Sequence, residues 1–254
     1  MLQETKCSEG ELKVIKVKIW RGCEVVTNDA IGSGGGIGIL WNPREVSLYD
    51  FLASHFIITD SFHILGSSVI VLISNVYGPE NASLKETFLA SLLRLGGMVG
   101  DSRWVLGGDF NLIQSLEEKQ GGIRQLNSFS EQFGETIEAL NLVDLRTSSN
   151  LFTRNNKRTG DRSITSILDN FLVSESLMTG GGDKSTILLP SSGSDHWPMS
   201  LEWRRIGEHL HRPFRFEQFW LLHPEVLNFL KQWWEDFMPL VERLCTNSNK
   251  NSNI

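Results

Sequence analysis

Two short apolar runs, each ending in polar residues and each followed by an amphipathic stretch, most limit what this chain can fold into. SVIVLISNVYGPEN, residues 68–81, has the length and continuity of a buried strand and stops at the Gly78-Pro79 turn. Behind it Ser83 and Glu86 have capping-box spacing, and Leu84, Phe88, Leu92 and Leu95 recur at helical intervals until Gly96-Gly97. The unit repeats: RWVLGGDFN, residues 103–111, precedes a second capping spacing at Ser128 and Glu131, with Phe129, Phe133, Ile137 and Leu140 on one helical face. Strands that feed helices need those helices as cover, which points to a mixed α/β (α+β) fold. Two more strands are expected, in SILDNFLV (166–173) and PMSLEW (198–203), and the lack of strict alternation calls for several hairpins.

Elsewhere the signals are weaker. Residues 12–26 are rich in β-branched and apolar side chains and read as extended chain. GSGGGIGILWN, residues 32–42, joins a glycine-rich turn to a strand; with no Gly-Lys-Ser/Thr and no helix after it, it is a hairpin turn and not a phosphate loop. After Trp203 the character changes. RRIGEHLHRPFRFEQFW is a connector, and Pro224 opens an amphipathic helix carrying Val226, Leu227, Leu230, Trp234, Phe237 and Leu240, which Pro239 kinks or ends before a polar tail. The expected division is a domain over 1–204 and an appendage over 205–254.

Composition excludes some functions. The net charge of -6 argues against coating nucleic acid by bulk electrostatics, although a local basic patch is compatible with it. Cys7, Cys23 and Cys245 are too scattered for a zinc site and odd in number, which fits a reducing compartment. The N-terminus has no secretory signal and the apolar run at 69–76 is too short to span a bilayer. The expectation is an intracellular protein, nuclear or cytoplasmic, with no membrane association.

The strand ends carry the chemistry. Glu4, Tyr77, Asp109, Asn111, Asp169, Asp195 and His196 all fall where an apolar run stops or is interrupted. Strand alternation puts Asp109 and Asn111 on one side. Carboxylates with a carboxamide are hard oxygen ligands suited to magnesium beside a phosphate. A histidine backed by an aspartate is an oriented imidazole with a stabilised charged form. Together they fit metal-assisted attack of water on a phosphoester. Any one of these residues alone, Glu4 above all, is more often a solvated surface group; the combination carries the reading. RNNKRTGDRSIT adds Arg154, Lys157, Arg158 and Arg162 against Asp161, a positive loop that suits phosphate contacts or equally a solvated hairpin tip.

LQETK (2–6), NVYGP (75–79), GGDFN (107–111), ILDNFLVS (167–174) and SDHWP (194–198) resemble, in order, the motifs of the endonuclease/exonuclease/phosphatase superfamily. The resemblance implies a DNase I-like four-layer αββα sandwich of two mixed β-sheets, truncated at the N-terminus by the family's first strand. LFTRNN and RPFRFEQFWLLHPEVLNFLKQWW further resemble the endonucleases of plant non-LTR (LINE-type) retrotransposons. Carried over, the resemblance implies that Glu4 binds Mg2+ (or Mn2+) with help from Asp195, and that Tyr77 contacts the scissile phosphate. Asp109 would orient or deprotonate the attacking water and Asn111 hold water or phosphate oxygens, while His196, paired to Asp169, stabilises the developing charge. The basic loop would face DNA. Arg154 stands where the family has tryptophan, and Ile167 and Asn170 where arginines are common. The expected activity is a divalent-metal-dependent DNA endonuclease, acting as a monomer without a small-molecule cofactor. The alternatives are a phosphatase or exonuclease on a smaller phosphoester, and a catalytically impaired remnant that binds DNA or a partner.

Overall fold

Ser8 and Glu11 form a complete capping box, and it overrides the β-branched composition that suggested extended chain over 12–26. The Glu11 carboxylate accepts from the Ser8 N–H at 2.8 Å and Ser8 Oγ accepts from the Glu11 N–H. A Lys13–Glu9 ion pair at i,i+4 spacing supports the same turn. The result is helix α1 (Glu9–Ile19), with Leu12 buried against Gly38 and Val14, Val17 and Ile19 exposed. Only the end of that stretch, β1 (Glu24–Asn28), is extended.

In this computed structural model the described residues are 1–29, 35–123, 125–147, 152–191 and 193–204, with single positions 228, 231 and 232 beyond them. Those three positions are helical and exposed; the rest of the helix expected after Pro224, the connector and the tail lie outside the described residues. Glycines 32 and 34 and Leu151 do as well.

After β1 come β2 (Ile37–Trp41), β3 (Val46–Ala53), β4 (Ile57–Ile64) and β5 (Ile70–Tyr77). Helix α2 (Ala82–Val99) crosses to β6 (Trp104–Asp109). Then follow β7 (Lys119–Gln120), α3 (Ser128–Ala139), β8 (Leu142–Asp144), β9 (Arg154–Asn155) and β10 (Thr165–Ser166). The chain continues through β11 (Asp169–Ser174), α4 (Glu175–Thr179), β12 (Asp183–Leu188) and β13 (Met199–Arg204).

Three expected helix boundaries move. α2 is capped by Asn81, whose Oδ1 accepts from the Ser83 N–H at 3.0 Å, and α3 by Asn127, which accepts from the Ser130 N–H at 3.0 Å; the anticipated Ser83 and Ser128 lie just inside. Gly96-Gly97 does not stop α2. A Cβ on Gly96 would come within 2.1 Å of Leu140 Cδ2, so this glycine serves close packing on the segment that ends α3. The helix ends instead at Gly100, with φ of 55°.

Six strands form the central sheet in the order β3-β4-β5-β6-β11-β8, with β5 and β6 parallel through α2 and the remaining neighbours antiparallel. Both faces are covered. On one, Phe88, Leu92, Phe133 and Ile137 of α2 and α3 pack with Leu106 and Leu172. On the other, Ile58 and Phe62 meet Ile37 and Ile39 of β2, while Val105, Phe171 and Val173 meet Met199, Leu201 and Trp203 of β13. Since α1 packs on β1 and β2, the layers run α, β, β, α, as expected. The second β layer is divided among the described residues: β1-β2 and β12-β13 are separate antiparallel ribbons. Each fully buried phenylalanine contributes about 1.5–3 kcal/mol by leaving water, so the six-stranded sheet between its covers is the stable platform for what its strand ends carry.

Candidate active site

The register of three adjoining strands builds the floor of the site. β5 and β6 end together, placing Tyr77 beside Asp109, and β11 starts with Asp169 directly opposite Asp109. Gly108, with φ of 139°, lets β6 approach β5: a Cβ there would lie 2.1 Å from the Val76 carbonyl oxygen. Asp109 is thereby 5% exposed, a carboxylate almost out of water. Its Oδ1 accepts from the Asn111 N–H at 2.9 Å, which holds Asn111 in a left-handed conformation with φ of 50°. Asn111 Nδ2 donates to the Gly78 carbonyl at 2.8 Å and its own carbonyl accepts from Lys85 Nζ at 3.0 Å.

His196 reaches this floor from the loop before β13. Its Nδ1 lies 2.9 Å from Asp169 Oδ2 and its Nε2 3.8 Å from Asp109 Oδ2. The loop is pinned to β9: the Asn155 N–H donates to the Asp195 carbonyl at 2.9 Å, the Trp197 N–H donates to the Thr153 carbonyl at 2.8 Å, and Arg154 bridges to His196. Thr153 also works from its side chain, where Oγ1 accepts from the N–H groups of Leu168 and Asp169 at 3.0 and 3.1 Å. Glu4, at φ of 49°, enters from the segment bound to β2, and its Oε1 accepts from the Tyr77 hydroxyl at 2.7 Å.

Electrostatics follow from this crowding. Burial, with the neighbouring Asp169 charge, pushes the Asp109 carboxyl up to about 7 against the opposing pull of His196 and the Asn111 N–H. Burial lowers the proton affinity of His196, but the Asp169 hydrogen bond and the Asp169, Asp109 and Asp195 charges outweigh it and hold the imidazole above its ordinary value. Asp195 is held below its ordinary value: the burial penalty is outweighed by Arg154, whose Nε lies 3.2 Å from Oδ2, and by His196. Burial and the Glu4 carboxylate raise the Tyr77 phenol. Asp109, Asp169 and His196 each offer a ligand atom within 4.8 Å of one another. Two facing carboxylates, one of them buried with its proton affinity raised, fit a divalent cation, whose charge relieves their repulsion.

Glu4, Tyr77, Asp109, Asp169, Asp195 and His196 all line one cavity of about 410 Å³, and Asn111 is bonded to its edge through Asp109. The four basic residues separate. Arg154 is engaged by Asp195, Lys157 Nζ donates to the Gly193 carbonyl, and Arg158 and Arg162 stand exposed on the loop. Thr153 and Lys85 went unnoticed in the sequence. Thr153 carries no signal beyond its place in LFT, whereas Lys85 has one: a cation in the first turn of α2 opposes the helix dipole and needs a local reason. That reason is Asn111 and the Asp109 charge.

The fold is shared with solved structures, two endonucleases among them. The endonuclease domain of TRAS1, a telomere-specific non-LTR retrotransposon, matches at TM-score 0.60 and 19% identity over 74% of this chain and 81% of that one. The AP endonuclease LMAP from Leishmania major matches at TM-score 0.62 and 18% identity over 80% and 77%. D. rerio TDP2, complexed with single-strand DNA product, matches at TM-score 0.51 and 12% identity over 78% and 82%. No protein-family model and no curated protein sequence matches the chain.

Proposed function

We propose that a chain with this DNase I-like fold is a divalent-metal-dependent phosphodiesterase of the endonuclease/exonuclease/phosphatase superfamily, and that it acts as a monomeric DNA endonuclease of retrotransposon origin. The observation that carries the reading is the Asp109–His196–Asp169 constellation at the end of three registered strands, with Glu4 and Asp195 on the same cavity. The similarity in fold to two endonucleases and to a protein bound to single-strand DNA product supports DNA as the substrate. Residues 1–204 are the catalytic domain in this reading and 205–254 an appendage.

Glu4, Asp169 and Asp195 would hold Mg2+ or Mn2+, which when bound supplies charge neutralisation at the phosphate. The chain's own groups do the rest. Asp109, with proton affinity raised to about 7, is matched to taking a proton from water at neutral pH. His196, whose charged form Asp169 favours, presents Nε2 to the cavity and would stabilise the charge that develops on a phosphate oxygen beside it. Asn111 and Tyr77 orient oxygens at the edge. Arg158 and Arg162, free of the Asp195 contact that engages Arg154, would meet the DNA backbone.

The test is nicking of supercoiled plasmid with and without Mg2+, comparing the chain with Asp109→Asn. Metal-dependent nicking that the substitution abolishes supports the proposal; nicking that survives the substitution comes from another protein. One observation favours a second reading, in which the chain binds DNA or a partner without turnover: Glu4 is carried by a segment joined to its neighbours by few backbone bonds, the Leu2–Gly38 pair and the N–H groups of Thr5 and Lys6 to Gly36 and Gly35. Plasmid binding without nicking in the same experiment selects that reading.

A further inference from the structure

The basic loop and the cavity share one ribbon of short strands, and the outermost of these ends in an apolar side chain. β7, β10 and β9 pair in the register Lys119↔Ser166↔Arg154, and the Arg154–His196 bridge carries the ladder on to the histidine of the cavity. Three strand spacings of about 4.8 Å separate Lys119 from His196, a span of about 14 Å. Beyond β7 the chain turns at Gly121, at φ of 82°, where a Cβ would run into the Ser163 carbonyl. The turn therefore lies hard against the loop between β9 and β10. Ile123 follows, its carbonyl accepting from Lys119 Nζ at 3.0 Å and its side chain 80% exposed, the highest value for a large apolar residue among those described.

A single exposed isoleucine is ordinary on a protein surface. This one is displayed by a fitted turn beside a shaped cationic loop. Asn156 clasps that loop: its Nδ2 donates to the Arg162 carbonyl at 2.9 Å, and its Oδ1 accepts from the N–H groups of Arg158 and Ile164 at 3.2 and 3.0 Å. Arg158 and Arg162 stand exposed on it, while Lys157 is tied to the Gly193 carbonyl and Arg154 to Asp195. The exposed carboxylates on the same strands and turns are Asp161 and Glu117, and Glu118 is buried against Arg146. Cations around a projecting apolar tip are the pairing that kinks nucleic acid, in which phosphate contacts hold the strand and the apolar side chain parts the bases.

We propose that Ile123 is a wedge that enters between stacked base pairs of bound duplex DNA, with Arg158 and Arg162 on the flanking phosphates, an inference that rests on the reading of the chain as a DNA endonuclease. Unstacking is easiest at pyrimidine–purine steps. At about 3.4 Å per step, the 14 Å span puts the favoured step about four base steps from the cut.

The experiment uses the full chain in EDTA at low salt, where metal-dependent cutting is off. The probe is a duplex of about twenty base pairs with 2-aminopurine in place of adenine at repeated T-A steps and a dye at one end. Dye anisotropy reports binding, and 2-aminopurine fluorescence reports unstacking. The expected result at saturating protein is a rise of about twofold or more in 2-aminopurine fluorescence. Ile123→Ser should remove most of that rise while weakening binding by about threefold or less, because the phosphate contacts persist, and Ile123→Phe should retain it. An equal rise with Ile123→Ser, saturated binding with no rise, or no binding at all overturns the wedge. An Ile123-dependent rise from a chain that fails to nick plasmid in Mg2+ supports the wedge and overturns the endonuclease reading; nicking without the rise does the reverse.

Discussion

Tyr77, Asp109 and Asp169 ride on three adjoining strands of the six-stranded sheet, whereas Glu4, Asp195 and His196 come from segments of the divided layer opposite. The first group is placed by ladder register, with helices and ribbons covering both faces. The second is placed by a handful of bonds: Leu2 to Gly38, Asn155 to Asp195, Trp197 to Thr153 and Arg154 to Asp195. Substitutions in the sheet should therefore change the chemistry at fixed geometry. Substitutions in the clamps should change the geometry at fixed chemistry.

The largest effect is expected at Asp109. Asp109→Asn should lower the rate of DNA nicking by about a thousandfold or more, within the range for positioned acid-base groups, while thermal unfolding stays at or above the parent's midpoint because a buried like-charge contact is removed. A concurrent loss of stability would make Asp109 a member of the scaffold. His196→Ala should cost on the order of a hundredfold, and an unchanged rate would remove this side chain from the site. Thr153→Val tests the clamps. It strips the acceptor from the Leu168 and Asp169 N–H groups, so denaturant unfolding should show a loss of about 1–3 kcal/mol. The accompanying fall in rate, about tenfold, should be smaller than for either ionisable residue. A stability loss with no fall in rate would show that Asp169 does not need this anchor.

The mildest effect on activity is expected at Asp60, which lies between the six-stranded sheet and the β1-β2 ribbon. Asp60 is fully buried, neither carboxyl oxygen has a hydrogen-bond partner among the described residues, and burial pushes its pKa up to about 7. The other ionisable residues on the elements packed against it are Tyr49 and Asp50 on β3, His63 on β4 itself, Tyr77 on β5 and Glu24 on β1. Because its folded pKa lies above its unfolded value, the folded state holds the proton more tightly. Stability from this group is full below pH 4 and is lost as pH rises from about 4 to about 7, a change of up to about 4 kcal/mol at 1.36 kcal/mol per unit. Asp60→Asn should flatten that part of the stability-pH curve and leave nicking unchanged. A slope identical to the parent's would exclude Asp60 as its source.

Much of this site could be read from the chain because polar residues at the ends of apolar runs are conspicuous; Asp109, Asn111 and the Asp195-His196 pair stand out that way. What escaped depends on partners distant in sequence. No local pattern says that Asp169 sits across from Asp109, that Arg154 turns to Asp195, or that Thr153 holds two amides. The fold shows the same limit. β5, β6, β11 and β13 were visible as apolar runs, but β3 and β4 were not, since Asp50, Asp60 and Ser61 break their alternation with the polarity of a loop. α1 was misread because β-branched composition weighed more than the four residues of its capping box.

The claim that matters most is that carboxylates from both layers meet at one cation. Diffraction from crystals of the chain soaked in Mn2+, with data collected for anomalous scattering from manganese, addresses it directly. The expected result is one dominant peak in the cavity within coordination distance of Asp169 and of Glu4 or Asp195. A peak bound only by surface carboxylates elsewhere, or no peak in the cavity at saturating Mn2+, would contradict the account.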